Sequence, residues 1–179
     1  MQNNIDRTNP KAKVFIVWLI ILSSFILFTA LTSVLFLADY SISMPPMFIV
    51  STALIVLSSI ALHISNMKFK MLQFKAHKRY MWLTAVLGLL FLTVQLIAWH
   101  TMVEHGAASS ANYNAIVYIL VIAHSLHVMM GLLILLYTIF SLNGTPHQRI
   151  GNRVKMTTIF WQFIGFLWLY LYFLFLILL

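Results

Sequence analysis

The sequence predicts an all-α integral membrane protein, a bundle of five transmembrane helices. Apolar residues make up 62% of the 179 positions and charged residues only 8%, whereas a soluble domain carries about 25% charged residues. Such a chain has too few charges to cover a water-facing surface, which excludes a soluble globular domain. We expect helices because a helix satisfies its own backbone hydrogen bonds inside lipid without closing a barrel.

Five apolar runs are long enough to cross a bilayer, which takes about 20 mostly apolar residues. They cover approximately residues 14–37, 47–65, 80–100, 113–140 and 157–179. We predict that residues 1–13 form a tail and residues 14–179 a single membrane domain. The first run is longer than the core of about 7–15 apolar residues in a signal peptide, so we interpret it as a span.

The polar breaks between the runs predict the orientation of the chain. All 11 Lys and Arg residues lie in the N-terminal tail, in the second break around Lys68–Arg79, or in the fourth break around Arg149–Lys155. By the positive-inside rule the N-terminus is cytoplasmic and the C-terminus periplasmic. Pro45-Pro46 suits the first turn of the second helix, and Asn143–Pro146 is a turn signal.

Acidic residues and cysteines limit the chemistry of the chain. Asp6, Asp39 and Glu104 all lie outside the five runs, and cysteine is absent. Ionisable groups at membrane depth mark proton and ion paths, so we do not expect a self-contained proton path or cation transporter. The missing cysteines exclude disulfides and thiolate metal sites. We interpret the basic cluster Lys68–Arg79 as lying against an anionic leaflet, and expect no nucleic-acid partner.

Histidines are the remaining candidates for a cofactor site. A b-type haem needs two imidazoles on opposite faces of one ring. With a rise of about 1.5 Å per residue, only His63 and His127 come near the same depth. His124 and His127 lie three residues apart on one helix face and cannot clamp a haem between them. We therefore interpret these two as polar contacts between helices or with lipid headgroups, and a b-type haem remains the alternative.

Small, polar and aromatic residues inside the runs are candidates for helix packing. Small residues allow close approach of helices, and Gln95 is expected to bond across an interface. Trp161 fits the aromatic belt near a span end. We predict no catalytic, cofactor-binding or metal-binding residue in this chain. The predicted lipid or helix contacts are His124, His127, Ser58, Ser59, Gln95, Gly131, Trp161 and Trp168.

Four motifs occur in order along roughly residues 20–172. The sharpest is His124-Ser125-Leu126-His127-Val128-Met129-Met130-Gly131. The other three are Met44-Pro45-Pro46 with Ser51-Thr52 and Ser58-Ser59; Trp82-Leu83 with Gly88, Phe91 and Gln95; and Trp161-Gln162-Phe163 with Trp168. The sharpest motif is similar to the H-x-x-H-V-x-x-G of subunit III of the haem–copper terminal oxidases in its short five-helix bacterial form. The other three resemble that family's P…N-T…S-S, W-L…G…F…Q and W-H-F…W helices.

The chain departs from the family pattern at its membrane carboxylates and at one histidine. The family usually has glutamate after a serine of its first shared helix, glutamate in Q-x-x-E, histidine in W-H-F and often aspartate three residues beyond that histidine. The corresponding residues here are Phe25 after Ser24, Ala98, Gln162 and Gly165. His124 and His127 therefore need partners other than glutamate, such as lipid phosphate or backbone carbonyls. Longer members of the family have two further N-terminal helices that form a lipid-holding cleft, and the resemblance to the short form implies no counterpart of them here.

The resemblance implies a non-catalytic integral subunit of a respiratory oxidase that reduces oxygen to water. Haem and copper would lie in subunits I and II and none in this chain. The family's subunit III packs beside subunit I, binds structural phospholipid, and supports assembly, proton uptake and turnover stability. We expect a bacterial plasma (inner) membrane location, with a larger respiratory supercomplex as a further partner. The alternatives are a related subunit of a nitric oxide reductase system, a small b-type cytochrome, and a small transporter or assembly factor.

Overall fold

A computed structural model describes residues 10–37, 46–105, 111–142 and 147–177, and these parts contain five α-helices. The helices are α1 (Pro10–Leu37), α2 (Met47–Lys70), α3 (Phe74–His105), α4 (Ala111–Ser141) and α5 (His147–Ile177). Each is long and apolar enough to cross a membrane. The structure therefore confirms the all-α class and the bundle of five membrane-spanning-type helices.

The helices extend beyond several of the apolar runs. α2 continues to Lys70 rather than ending near residue 65, α3 begins at Phe74 rather than near residue 80, and α5 begins at His147 rather than near residue 157. The length of an apolar run reflects the thickness of the hydrocarbon layer. The helical backbone continues its hydrogen bonds beyond that layer. Long basic side chains lie along the helix and keep their charged ends in water.

Some sequence predictions fall on positions that the structure does not describe. Residues 1–9 of the predicted tail, and the turn Asn143–Pro146, lie outside the described residues. α1 begins at Pro10, within the last residues of that predicted tail. Pro46 immediately precedes α2, and its carbonyl accepts the N–H of Ile49 at 3.2 Å.

A three-residue turn, Met71–Gln73, joins α2 to α3. The N–H of Gln73 donates to the carbonyl of Lys68, and the N–H of Leu72 donates to that of Phe69, both at 3.0 Å. This is the hydrogen-bond pattern of a Schellman motif. Leu72 adopts φ +59° there, a left-handed conformation that costs a non-glycine residue about 1–2 kcal/mol. Only three residues of the basic break therefore form a turn, and its Lys and Arg residues lie on the ends of two closely packed antiparallel helices.

Helices α2, α3, α4 and α5 close into a ring, and α1 lies outside it. α2 and α4 each pack against both α3 and α5, whereas α1 contacts only α4 and α5 extensively. α1 buries 11% of its most apolar stretch, against 50% for α5. The largest fully buried side chains, Trp161 and Trp168, both belong to α5. The core of the molecule is therefore organised around α5.

The outer face of the bundle is apolar, and many hydroxyl groups point inward. Large apolar side chains are exposed on every helix, including Phe15, Ile49, Leu96, Leu133 and Phe166. Eight Ser and Thr side chains of the described residues are buried between the helices. Lipid tails are as apolar as leucine, so close packing and interhelical hydrogen bonds hold such helices together.

Candidate functional site

Trp161 occupies the space between two glycines of the ring. A Cβ atom on Gly88 of α3 would lie 2.7 Å from Cη2 of Trp161, and one on Gly131 of α4 would lie 3.3 Å from its Cε3. The indole Nε1 donates to Ser58 Oγ at 3.1 Å. Ser58 in turn donates to the carbonyl of Thr84 at 3.3 Å. The structure thus brings together three predicted contact residues, and one indole touches α2, α3 and α4.

Trp168, two turns further along α5, repeats this arrangement with aromatic neighbours. Its Nε1 donates to Thr52 Oγ1 at 2.9 Å. Its ring meets Phe48 and Phe91 edge to face, with centroids 5.7 and 5.2 Å away. The ring of His124 lies 5.0 Å away at a tilt of 37°. Trp168 therefore connects α5 to each of the other three helices of the ring.

His124 and Gln95 are buried polar residues of the ring. Neither nitrogen of His124 and neither amide atom of Gln95 has a hydrogen-bond partner among the described residues. The expected bond of Gln95 across an interface is therefore not present there, since the ring core consists mainly of aromatic and aliphatic side chains. An unpartnered buried polar group costs about 1–3 kcal/mol. Packing, rather than hydrogen bonding, holds His124 in place.

His127 lies at the contact between α1 and α4 and is fully hydrogen-bonded. Its Nδ1 is 2.7 Å from the carbonyl of Ala123, which can only accept, so Nδ1 carries the proton. Nε2 lies 3.1 Å from the hydroxyl of Ser24, within hydrogen-bond distance. Phe28 meets the imidazole edge to face at 5.5 Å. His127 therefore joins α1 to the ring of helices α2–α5.

The hydrogen-bond partners of His127 differ from the glutamate that the family resemblance implies. The carbonyl of Ala123 is one of the two kinds of partner that the sequence suggested. Ser24 supplies the second bond, and the next residue, Phe25, is half exposed on the outer face. Phe25, at the position where the family resemblance implies a glutamate, is therefore exposed, and the preceding hydroxyl bonds to the histidine.

Ser59 faces a different part of the molecule from its neighbour Ser58. Its carbonyl accepts Nε2 of Gln162 at 2.9 Å. A Cβ atom on Gly165 would lie 2.6 Å from its Oγ, and this Oγ is buried without a described hydrogen-bond partner. Ser59 and His63 both line a groove of about 300 Å³ between α2 and α5. The predicted contact residues therefore separate into a ring core, an α1 contact and this groove.

His63 and His127 are the two histidines that the sequence predicts to lie at about the same membrane depth. His63 lines the groove between α2 and α5, whereas His127 lines a second groove formed by α1, α4 and α5. Two imidazoles in different grooves cannot ligate one haem. Within the described residues, no group of three or more His, Cys, Asp or Glu side chains could hold a metal ion.

Sequence reasoning missed most of the threonine contacts between helices. Thr157 donates to Thr138 at 2.9 Å between α4 and α5, because Thr138 uses its own proton for a backbone carbonyl. Tyr170 donates to Thr32 at 2.8 Å between α5 and α1 for the same reason. These threonines are buried. The sequence could have indicated these contacts, since each threonine is a hydroxyl residue within or at the edge of a predicted span.

Curated proteins with significant similarity are oxidase subunits, although no protein-family model matches the chain. The chain is 26% identical over 178 residues to cytochrome bo(3) ubiquinol oxidase subunit 3 of Buchnera aphidicola subsp. Schizaphis graminum, covering 92% of this chain and 93% of that protein. It is 30% identical over 128 residues to cytochrome c oxidase subunit 3 of Alkalihalophilus pseudofirmus. It is 26% identical over 125 residues to cytochrome c oxidase subunit 3 of Thermostichus vulcanus.

The extent of these matches differs between the two kinds of oxidase. Each match to a cytochrome c oxidase subunit covers 69% of this chain and 61% of the relative. The chain thus spans less than two thirds of those two proteins but nearly all of the bo(3) subunit. The relatives confirm the resemblance that the motifs indicate: the chain is similar to subunit 3 of cytochrome c oxidases and of a bo(3) ubiquinol oxidase.

Proposed function

We propose that this chain is the non-catalytic subunit III of a respiratory haem–copper oxidase that reduces oxygen to water. The observation that carries this proposal is the similarity to a subunit 3 over 92% of the chain. In this role haem and copper belong to subunits I and II. The chain packs against subunit I, binds phospholipid, and supports assembly, proton uptake and turnover stability. It lies in a bacterial inner membrane with its N-terminus in the cytoplasm, within a larger respiratory assembly.

The packing of the ring supports a structural role. Both nitrogens of His127 are engaged inside the chain, and the ring is filled by the indoles of Trp161 and Trp168. The three acidic residues lie outside the predicted spans. A helix bundle built in this way supplies a dry, rigid wall beside a catalytic subunit, because it lacks the intramembrane carboxylates that proton paths use.

The outer surface supports association within a membrane complex. Apolar side chains cover the outer faces of all five described helices, so neighbouring subunits and lipid tails attach by close packing. The basic helix ends attract anionic headgroups by about 1 kcal/mol for each Lys or Arg near the surface. Both features suit a subunit that sits between a larger partner and the lipid.

Co-purification from the native membrane tests the proposal. The tagged full chain is extracted in mild detergent, and the proteins that accompany it are identified. We expect a large many-helix haem–copper subunit in near-equal amount. Recovery of the chain alone with a haem band would make it a small cytochrome, and recovery alone without colour would contradict the oxidase role.

A double variant tests the structural part of this role. His124→Leu with His127→Leu is expected to weaken assembly or turnover stability while the haem absorption of the complex stays unchanged. Leu126→Met with Met130→Leu is the matched control, since both residues are exposed on the same helix. Loss of the haem bands in the histidine variant alone would show that a histidine serves a cofactor.

A further inference from the structure

The turn between α2 and α3 carries exposed apolar side chains at the end of a helical hairpin. Met71 is 61% exposed, Leu72 is 74% exposed, and Phe74 at the start of α3 is 40% exposed. Lys70 and Lys75, which are also exposed, flank these three residues. We call the surface formed by these five residues the hairpin tip. It is apolar at its centre and basic at its edges.

The hairpin tip extends well beyond the hydrocarbon layer of a membrane that the helices cross. The apolar run of α2 ends near residue 65, so Leu72 lies about 10 Å further along the helix direction, at about 1.5 Å per residue. The headgroup layer on one side of a bilayer is only about 5–7 Å thick. The exposed apolar side chains of the tip therefore face water rather than acyl chains, and this exposure is unfavourable.

Hydrogen bonds and aromatic contacts fix the two helices directly beneath the tip. Ser65 Oγ donates to the carbonyl of His77, and Nδ1 of His77 donates to the carbonyl of Ser65, both at 2.9 Å. The ring of Phe69 meets those of Phe74 and His77, with centroids 5.9 and 5.0 Å away. The tip is thus held in one conformation, so a partner that binds it loses little affinity to ordering of the turn.

Leu72 keeps a costly backbone conformation although its side chain is largely exposed. Its φ of +59° is left-handed, and glycine adopts this conformation at a helix end without steric cost. The leucine side chain gives little in return within the chain, since 74% of it is exposed. Backbone strain of this kind is concentrated at functional positions. A contact outside the chain therefore accounts best for a leucine at this position.

The charges around the tip indicate which kind of partner it fits. Five Lys and Arg residues lie between residues 68 and 79, whereas the three acidic residues of the chain are at positions 6, 39 and 104. A second copy of the chain would bring the same positive charges to the tip, and like charges oppose such a contact. Basic edges around an apolar centre instead complement a segment in which Asp or Glu stands beside apolar side chains.

We propose that the hairpin tip docks an acidic segment of another polypeptide at the membrane surface. An apolar side chain of that segment covers Met71 and Leu72, and its carboxylates lie beside Lys70 and Lys75. The inference rests on the proposed function for the membrane location and the presence of partner subunits. It adds a contact made in water to the packing of helices within the bilayer.

Photocrosslinking in the native membrane tests this contact. The full chain carries p-benzoylphenylalanine in place of Met71, the membranes are irradiated with the accompanying subunits present, and the captured peptide is identified by mass spectrometry. We expect a segment of another polypeptide with Asp or Glu next to the captured residue. The same probe in place of Leu57, which is 53% exposed within the apolar run of α2, is the control and should not capture that segment.

Two sets of variants, made in the chain with the probe at Met71, test the basic edges and the apolar centre. Lys70→Gln with Lys75→Gln should lower the yield of capture about fivefold, since exposed ion pairs are individually weak. Lys70→Arg with Lys75→Arg keeps both charges and should leave the yield unchanged. Leu72→Gly should lower the yield about tenfold by removing the central side chain. Because glycine relieves the left-handed strain, the same variant should unfold at an equal or higher denaturant concentration.

The outcomes separate the tip contact from the oxidase role. Capture only of lipid, of this chain's own residues or of a segment without acidic residues overturns the tip contact. A yield that Leu72→Gly or the two Lys→Gln changes leave unaltered also overturns it. Absence of capture while oxidase subunits still co-purify overturns the tip contact alone. Capture of an acidic segment by a chain that purifies without oxidase subunits supports the tip contact and contradicts the oxidase role.

Discussion

The ring of α2–α5 and the contact with α1 differ in how closely their helices interlock. In the ring of helices, Trp161 fills the space beside two glycines. Trp168 packs edge to face against Phe48 and Phe91. The contact with α1 includes two side-chain hydrogen bonds, Ser24 to His127 and Tyr170 to Thr32. Since lipid competes equally for apolar surface, a helix is bound tightly only where shapes interlock. The ring has such interlocking, whereas α1 adds a narrower apolar seam, with Phe28 and Leu35 fully buried, to these two bonds.

The two histidines of one motif illustrate the same contrast. His124 is fully buried among helices α2–α5, and its imidazole contacts the side chains of Phe91 and Trp168. His127, one turn later, is only partly buried and is held by two hydrogen bonds. One imidazole therefore acts as a packing element and the other as a polar link, although they share a helix face.

Truncating the ring's central indole should have the largest effect. Trp161→Ala is expected to lower the free energy of unfolding by about 3–5 kcal/mol, because it leaves a cavity between Gly88 and Gly131. Reversible unfolding in detergent with increasing denaturant measures this. Trp18→Ala on α1 is the control, since Trp18 is 55% exposed and its loss should cost far less. Equal losses for both variants would contradict a ring organised around Trp161.

A single added methyl group should show how closely the ring is packed. Gly88→Ala places a carbon 2.7 Å from the buried indole, and overpacking of a core costs about 1–3 kcal/mol. Gly165→Ala provides the comparison, because its Cβ meets the Ser59 hydroxyl, which can rotate away. We expect Gly88→Ala to unfold at the lower denaturant concentration. The reverse order would show that the indole moves more readily than the hydroxyl.

Replacing each histidine with phenylalanine should separate their roles. His124→Phe removes two unpartnered nitrogens and keeps an aromatic ring, so we expect stability to stay constant or rise by up to about 1 kcal/mol. His127→Phe removes the bond to Ser24 and is expected to destabilise the contact with α1 by about 1 kcal/mol. The two free energies of unfolding are measured side by side. A loss for His124→Phe as large as that for His127→Phe would indicate that His124 has a polar partner.

The hydrogen bond between Tyr170 and Thr32 should have the smallest effect. Interhelical hydrogen bonds in membranes average about 0.6 kcal/mol, and Tyr170→Phe removes one such bond while keeping the ring. A double-mutant cycle with Thr32→Val isolates the coupling between the two hydroxyls. Coupling above about 1.7 kcal/mol would exceed the usual range and show that α1 depends on this bond more than on its packing.

The number and class of the helices could be predicted because transmembrane helices must be long and apolar. Their ends could not, since the apolar run to about residue 65 stops before α2 does at Lys70. The carbonyl partner of His127 was among those suggested, because the predicted spans contain no carboxylate, whereas its bond to the Ser24 hydroxyl was not predicted. Gln95 was expected to bond across an interface, and no such partner lies among the described residues. Its surroundings depend on which helices adjoin α3.

Composition and order of residues along the chain were enough to indicate membrane helices, predicted spans without acidic residues, and the resemblance to oxidase subunit III. These properties depend on local hydrophobicity and on motifs read along a single helix. The direction of each side chain depended on the closing of four helices into a ring. Ser58 and Ser59 are adjacent in sequence, yet one accepts the indole of Trp161 and the other lines the groove beside Gln162. A rotation of about 100° per residue separates them on the helix. The positions of α3 and α5 determine which contacts each side chain makes.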